Sequence, residues 1–291
     1  MTLDQLKIFV TVADLQHVTR AATALHLTQS AVSNAISTLE ARHNVALFHR
    51  IGRRIELTSE GAIFLKAARS VLAQARNAEE LLADLGNMRR GLLTLFASQT
   101  IANFWLPERL DRYNTLFPDV DLDLRIGNTA ESVAAVCDGT AELGLVEGHA
   151  SEAGLAVELV ATDHLVVVVG AGHAWTRTPP DLPAALASTR WALREEGSGT
   201  RSSFESALAR SGMSLNDLSV AMELPSNEAL CAVAAAGNLA TVVSSSVASA
   251  AVQTGRLRII PFDLGTRDFR VIRHRERTLS RAAQAFLTVL T

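Results

Sequence analysis

The sequence predicts a chain of the α + α/β class, with a helical amino-terminal part followed by an α/β part. Apolar residues recur at intervals of three and four over residues 3–40, which is typical of short amphipathic helices. The same spacing continues without a proline from Thr58 to about Met88 and predicts one long helix. Beyond Gly91, short apolar strands alternate with helices. We therefore expect a helical domain, a linker helix and an α/β region.

Three short amphipathic helices are expected before residue 45. Their apolar faces contain Leu6, Phe9, Val10 and Ala13 in the first, Val18, Ala21, Ala22 and Leu25 in the second, and Val32, Ile36 and Leu39 in the third. Thr28 is the expected N-cap of the third helix, because a threonine hydroxyl accepts a hydrogen bond from a first-turn N–H. Two short helices that meet at a polar break are typical of a helix-turn-helix.

The outer face of the third helix is polar, small and uncharged. At about 100° per residue it presents Gln29, Ser30, Ser33, Asn34 and Ser37. An ordinary solvated face is the alternative, but such a face usually carries Lys or Glu, and Ser and Asn are poor helix formers. We therefore expect this face to approach base edges in double-stranded DNA, where a glutamine can bind adenine N6 and N7.

Arginines cluster directly after these helices. Arg50, Arg53 and Arg54 surround Gly52, and apolar residues stand on both sides of this turn. The pattern predicts a β-hairpin wing whose guanidinium groups hold phosphates or enter the minor groove. Residues 1–90 carry 11 Lys and Arg against 8 Asp and Glu, whereas the whole chain has a formal net charge of −3. This asymmetry favours nucleic acid as the partner of the amino-terminal part.

The long helix that follows Thr58 is expected to have one apolar stripe and a length of about 45 Å, at about 1.5 Å per residue. The stripe contains Phe64, Ala67, Val71, Ala75, Ala78, Leu82 and Leu85. A lightly charged, one-sided helix between two domains needs an apolar partner, so we expect it to form a homodimer contact. Packing onto its own domain is the alternative.

In the α/β region we expect strands over Leu92–Ala97, Val120–Ile126 and Leu165–Val169, and a helix over Ile101–Phe117. The strand Val120–Ile126 alternates apolar and charged residues, which indicates a half-buried strand. The strand Leu165–Val169 is apolar throughout, as in parallel sheets.

One pattern occurs twice in this region. The first copy has a helix opened by Asn128-Thr129 and ending near Cys137, a glycine at 139 and a strand over 143–146; the second has a helix opened by Ser226-Asn227 and ending near Ala236, a glycine at 237 and a strand over 239–243. Two such units predict two α/β subdomains of related build that face each other.

A ligand of facing α/β subdomains binds at the carboxyl ends of strands, against helix amino termini. Polar residues at these junctions are Ser98, Gln99, Thr100, Asn128, Thr129, Ser198, Thr200, Arg201 and Ser226. Each alone is explained equally well as an N-cap, but together they predict a site for a small anion. We expect Arg201 to pair with the anion's charge, and Glu147 to contact an amine or hydroxyl.

Other classes of site are disfavoured. The chain has no G-x-x-x-x-G-K, G-x-S-x-G or H-E-x-x-H motif, and its eight histidines show no metal-ligand pair on one helix. We expect no metal, no cofactor and no catalysis. Cys137 and Cys231 form no C-x-x-C pair, which favours a reducing cytoplasm. The charge-free stretch 229–255 contains glycine and serine breaks, so we expect buried helix and strand there and no membrane partner.

Two sets of residues match a known family. They are Phe9-Val10, Ala21-Ala22, Leu25-His26-Leu27-Thr28-Gln29-Ser30-Ala31-Val32-Ser33, Ile36, Leu39-Glu40, Leu47-Phe48, Arg50, Leu57-Thr58 and Gly61, and then Glu195 with Gly197-Ser198-Gly199-Thr200-Arg201. Through them the chain resembles LysR-type transcriptional regulators over its full length. Residues 97–101, 126–129 and 146–148 are similar to the branch that controls cysteine biosynthesis and carbon fixation.

The resemblance implies a winged helix-turn-helix, a linker helix and an effector-binding domain like a periplasmic binding protein. It also implies dimers or tetramers on an interrupted palindrome, with a small-molecule effector. The expected boundaries are 1–58 for the DNA-binding domain, 59–90 for the linker helix and 91–291 for the effector domain. Within the last, subdomain I covers about 91–161 and 265–291, and subdomain II about 162–264.

Two other classes of function stay open. One is a small-molecule binding protein or enzyme on the same α/β scaffold, with the amino-terminal helices as an interaction module. The other is a structural dimerisation protein, which leaves the Ser- and Asn-lined face of the third helix unexplained.

Overall fold

The computed structural model describes residues 1–51, 54–85, 91–148, 152–180 and 183–290. Contacts divide the chain into two compact units, of which the first is Met1–Met88 with Cys137–Thr140 and the second is Arg89–Val136 with Ala141–Thr291. Among the described residues, no helix combines the length and apolar character that a membrane span needs.

The amino-terminal unit contains three short helices, a hairpin and a long helix, as expected. Its elements are α1 (Leu3–Leu15), α2 (Val18–Ala24), α3 (Gln29–His43), β1 (Phe48–Ile51), β2 (Arg54–Leu57) and α4 (Ser59–Leu85). The Thr28 hydroxyl accepts a hydrogen bond from the backbone N–H of Ala31 at 3.2 Å, which confirms the predicted N-cap of α3.

The core of this unit is built around one aromatic side chain. The Phe9 ring lies 5.3 Å from that of Phe48 and 4.9 Å from that of Phe64, so α1 holds the hairpin and α4 together. The predicted inward residues of α3, which are Val32, Ile36 and Leu39, are buried in the same core. The helices and the hairpin therefore share one apolar cluster that fixes the orientation of α3.

The rest of the chain alternates strands with helices. Its elements are β3 (Gly91–Ser98), α5 (Pro107–Leu116), β4 (Val120–Gly127), α6 (Thr129–Asp138), β5 (Leu143–Glu147), β6 (Leu155–Gly170), β7 (Arg190–Arg194), α7 (Gly199–Arg210), β8 (Ser219–Leu224), α8 (Asn227–Ala236), β9 (Leu239–Ser244), α9 (Ser245–Gln253), β10 (Leu257–Ile260), β11 (Thr266–His274) and α10 (Arg281–Leu290). The charge-free stretch 229–255 contains the helix α8 and the strand β9, as expected, and then the helix α9, which was not predicted.

Strands β3 to β11 form one sheet of nine strands in the order β4-β3-β5-β11-β6-β9-β7-β8, with β10 also paired to β6. The long strand β6 joins two halves. Its residues 155–164 pair with β11, whereas residues 165–170 pair with β9 and β10. We call the half with β3, β4, β5 and β11 subdomain I, and the half with β7 to β10 subdomain II.

Two expectations about this region were wrong. The apolar run Leu165–Val169 pairs antiparallel with both neighbours, β9 and β10, and not in a parallel sheet. It is apolar because both of its faces are covered: Leu165 and Val167 belong to one core cluster, and Val168 to another. Burial on two faces requires apolar residues whatever the strand direction.

The second error concerns the helix expected over Ile101–Phe117. A π-helical turn over Ile101–Trp105 comes first, and the α-helix begins at Pro107. Proline has no N–H to donate inside a helix but suits the first helical position. The proline therefore divides the predicted helix into two segments.

Candidate functional site

The outer face of α3 presents uncharged polar groups, as the sequence predicts. Gln29, Ser30, Asn34 and Ser37 are exposed, and Ser33 is half-buried. The hydroxyls of Thr28 and Ser30 lie 3.0 Å apart at the start of the helix. Short side chains on this face leave the helix narrow enough to enter a DNA groove.

The wing is an antiparallel hairpin in which Arg50 pairs with Ile55, and Ile51 pairs with Arg54. Only the backbone of Arg50 and Arg54 is described, and Arg53 lies outside the described residues.

A residue that sequence reasoning missed connects the wing to α3. The Glu40 carboxylate accepts hydrogen bonds from the backbone N–H groups of Leu47 at 2.7 Å and Phe48 at 3.2 Å. An acidic side chain near the end of a helix gives no sign in the sequence that it binds the next strand. Glu40 therefore sets where β1 begins relative to α3.

In the second unit, several predicted ligand-site residues surround the carboxylate of Glu147, at the end of β5. Ser98 Oγ donates to Glu147 Oε1 at 2.9 Å, and Thr200 Oγ donates to Oε2 at 3.2 Å. The backbone N–H of Glu147 donates to the Thr129 hydroxyl at 3.3 Å. Ser98 ends β3, while Thr129 and Thr200 lie in the first turns of α6 and α7, so both subdomains contribute.

Arg267 completes this group and was not predicted. Its Nη1 lies 2.5 Å from Glu147 Oε2, and its Nη2 lies 2.7 Å from Asp163 Oδ2. The three side chains are almost fully buried, with Arg267 only 4% exposed. An arginine on a strand gives no sign in the sequence that its side chain will be buried. Only tertiary packing turns it inward.

Asn227, the first residue of α8, was likewise not among the predicted site residues and forms a second connection between the subdomains. Its N–H donates to the side-chain carbonyl of Gln99 at 2.8 Å, and its Nδ2 donates to Thr100 Oγ at 3.1 Å. The guanidinium of Arg194 donates to Asn227 Oδ1 at 3.0 Å. The predicted Ser226 lies next to it as the N-cap of α8 and accepts from Ala229 N.

Asn128 meets the opposite subdomain as well, because its Nδ2 donates to Glu195 Oε1 at 3.3 Å. Arg194 binds the same carboxylate with two hydrogen bonds of 2.8 Å. Burial acts to raise the pKa of Glu195, but the hydrogen bonds and charge of Arg194 outweigh burial and hold that pKa below its ordinary value. An ionised, paired Glu195 thus accepts the cross-subdomain hydrogen bond.

Arg201 is placed differently from the other predicted residues. It forms ion pairs with Glu205 and Glu223, and its guanidinium donates to the backbone carbonyl of Arg194 at 3.2 Å. Burial lowers its pKa, but the two glutamates outweigh burial and raise it. Ser198 is the N-cap of α7, so Thr200 and Arg201 lie in the first turn of this helix.

Gly199 lets α7 approach β5 closely. A Cβ atom at this position would lie 2.6 Å from Thr129 Oγ and 2.7 Å from Glu147 Cβ. Glu147 and the side chains that contact it, Ser98, Thr129, Thr200 and Arg267, form what we call the Glu147 group. Any residue larger than glycine at 199 would separate the first turn of α7 from this group. In the described part of the chain, no three His, Cys, Asp or Glu side chains are grouped to hold a metal ion.

Comparison with known proteins identifies both units. Residues 3–62 match the family described as bacterial regulatory helix-turn-helix protein, lysR family, and residues 86–291 match the LysR substrate binding domain. The chain is 32% identical over 289 residues to YeiE of Escherichia coli strain K12, an uncharacterized HTH-type transcriptional regulator, covering 99% of this chain and 96% of that protein. It is 30% identical over 290 residues to a probable RuBisCO transcriptional regulator of Trichormus variabilis, covering 98% and 86%.

Solved structures share the fold. Full-length CbnR complexed with its target DNA has a TM-score of 0.70 and 23% identity, covering all of this chain and 99% of that one. The regulatory domain of Synechocystis CcmR, in complex with 2-PG, has a TM-score of 0.62 and 24% identity, covering 69% and 95%. The predicted fold class and the resemblance are confirmed. The chain belongs to the LysR family and is a transcriptional regulator with a DNA-binding helix-turn-helix and an effector-binding domain.

Proposed function

We propose that the chain binds an interrupted palindrome through α3 and the wing, and that a small anionic effector in the Glu147 group modulates this binding. The convergence of hydroxyl and guanidinium donors from both subdomains on one buried carboxylate supports the effector site. A ligand held there contacts both subdomains and can shift how they close.

The DNA proposal rests on the exposed, uncharged face of α3. Gln29, Ser33 and Asn34 contact base edges, whereas the short side chains of Thr28, Ser30 and Ser37 let α3 come close to the DNA. Arg50, Arg53 and Arg54 hold phosphates. The structure of CbnR with its target DNA supports the use of this fold on duplex DNA.

The effector proposal assigns the ligand to Ser98, Thr100, Thr129 and Thr200, with Glu147 among them. We also assign to this site Gln99 and Asn128, which bond to the opposite subdomain, and Ser226 beside Asn227, whereas Arg201 is held by Glu205 and Glu223 within subdomain II. CcmR was solved in complex with 2-PG, which supports a bound small molecule in this type of domain.

A homodimer, or a tetramer built from dimers, is part of the proposal. In the isolated chain, α4 exposes Val71 at 43% and Leu82 at 69%, and these two side chains of the predicted stripe support a helix-to-helix contact between copies. In this proposal residues 1–58 bind DNA, residues 59–90 form the linker helix that contacts the second copy, and residues 91–291 bind the effector. We propose a regulator without catalytic activity, working in the cytoplasm where bacterial DNA lies.

The test is fluorescence anisotropy with the DNA upstream of the protein's own gene, compared with a scrambled duplex. We expect Asn34→Ala to reduce the preference for the upstream DNA by about 1–3 kcal/mol, because it removes a base contact. Lys66→Ala, an exposed change on α4, is the control. Equal binding of both duplexes by the unaltered chain would favour the small-molecule binding protein or enzyme, the second candidate.

A panel of small carboxylates and oxyanions then tests the effector proposal. At least one compound should change the affinity for the upstream DNA and raise the melting temperature. A panel without effect on either quantity would remove the anionic effector from the proposal.

A further inference from the structure

The carboxylate of Glu147 occupies the position that the hydroxyl and guanidinium donors around it would offer to a free anion. It is 2% exposed and accepts from Ser98 Oγ, Thr200 Oγ and Arg267 Nη1, which come from three different elements. We propose that Glu147 is a resident competitor, and that an oxyanion effector binds by displacing its carboxylate. The proposal rests on the effector site proposed above and names how that site is regulated.

The number of protons that the hydroxyls can donate favours replacement of the Glu147 carboxylate by the anion over binding of the anion beside it. A serine or threonine hydroxyl has one proton to donate. The protons of Ser98 and Thr200 are both directed at Glu147. The Thr200 oxygen also accepts from Arg267 at 2.9 Å. A free anion cannot use either hydroxyl while the Glu147 carboxylate stays in place.

Charge supports the same conclusion. The guanidinium of Arg267 contacts both Glu147 and Asp163, and Ser244 Oγ donates to Asp163 at 2.7 Å. An added anion would place three negative charges around one positive charge in a buried site, where unpaired charge is costly. Replacement of one carboxylate by another keeps the balance.

The location of Arg267 connects this exchange to subdomain closure. Arg267 and Asp163 are register partners on β11 and β6, and β6 joins the two subdomains. When Glu147 leaves, Arg267 keeps Asp163 and gains the effector. The exchange therefore changes a contact on the strands that connect the halves.

Acetate is the probe for this proposal, because Glu147→Ala removes a methylene and a carboxylate, which together are acetate less one hydrogen. We expect acetate to raise the melting temperature of full-length Glu147→Ala saturably, with an affinity at least about tenfold higher than for the unaltered chain. Acetamide, the neutral analogue, should give no such effect. Ser98→Ala added to Glu147→Ala should weaken acetate binding, whereas Glu158→Ala, an exposed change on β6, should behave as the unaltered chain.

Equal stabilisation of both proteins by acetate, or none in a folded Glu147→Ala chain, would overturn the proposal. If Glu147→Ala does not fold, Glu147→Gln replaces it, and acetate should again stabilise the variant more than the unaltered chain; equality would count against the proposal. These outcomes are independent of the DNA assay. Acetate could bind to Glu147→Ala while no compound of the panel affects DNA binding by the unaltered chain. That result would support displacement of the Glu147 carboxylate by an anion, but it would contradict the proposal that an effector regulates DNA binding.

Discussion

Arg267 and Asp163 face each other as register partners across β11 and β6, and Arg267 Nη2 lies 2.7 Å from Asp163 Oδ2. The same guanidinium contacts Glu147 at the end of β5. The Arg267 side chain therefore links β6 and β11 to Glu147 in the proposed effector site. Strand β6 is the one that joins the two subdomains. Burial makes this group sensitive, since removal of one partner leaves the others uncompensated.

Arg267→Ala should destabilise the second unit by about 3–5 kcal/mol, because two buried carboxylates lose their cation. Urea unfolding followed by tryptophan fluorescence measures it, as the three tryptophans, Trp105, Trp175 and Trp191, all lie in that unit.

The control for this change lies on the same strand. Arg270 pairs with Asp268 at 2.7 Å, but both side chains are partly exposed. Arg270→Ala should therefore cost about 0–1 kcal/mol, as is usual for solvated pairs. Similar losses for the two variants would show that burial of Arg267 has no special energetic role.

Gly199→Ala tests the close approach of α7 to β5. The new methyl group would lie 2.6 Å from Thr129 Oγ and 2.9 Å from the backbone oxygen of Glu147, so we expect a loss of about 1–3 kcal/mol. Helix propensity alone predicts the opposite, a gain of up to about 1 kcal/mol. The control is Gly172→Ala, whose methyl group meets nothing within 4 Å. A thermally stabilised Gly199→Ala would mean that the contact relaxes without cost.

Local features of this chain could be predicted, and long-range ones could not. The N-cap at Thr28 and the inward face with Val32 and Ile36 depend on neighbours within one helix, so spacing was sufficient. Two partners of Glu147, Ser98 and Thr200, lie 49 residues before it and 53 after it. Junction residues such as Ser98 were still predicted, because strand ends and helix starts meet in this kind of fold.

Arg267 shows the limit more sharply. On β11, alternation of charged and apolar residues describes one face of the sheet correctly, with Phe269 and Val271 in the core. Arg267 lies two residues before Phe269 on that same buried face, and alternation cannot tell that an arginine there will meet two buried carboxylates. Glu147 and Asp163 lie on β5 and β6, far from Arg267 in the chain, and no local pattern on β11 records them.

Glu40→Ala tests the connection between α3 and the wing, and the expected sign is informative. Loss of a negative charge should by itself strengthen binding to DNA. We expect weaker binding, by up to about tenfold, because the backbone N–H groups of Leu47 and Phe48 lose their acceptor and the wing loses its position. Glu56→Ala removes an exposed charge from β2 without such bonds and should bind as tightly or more tightly. Tighter binding by both variants would leave charge as the whole explanation.

Cys231 should react slowly in the folded protein. Burial raises the pKa of its thiol from 9.0 to about 11, with Glu228 adding to the effect and Arg256 opposing it. Because the reactive species is the thiolate, alkylation by iodoacetamide at pH 8.5 should be at least about tenfold slower than in the urea-unfolded chain. Peptide mass spectrometry separates Cys231 from Cys137.

The same shift fixes the pH dependence of stability. A thiol with a raised pKa stays protonated in the folded chain while the unfolded chain ionises, so its contribution is complete below pH 9 and is lost as the pH rises toward about 11. Cys231→Ala should therefore flatten the fall in stability over that interval. Rapid labelling of Cys231 at pH 8.5 would instead identify an accessible thiolate and contradict the raised pKa.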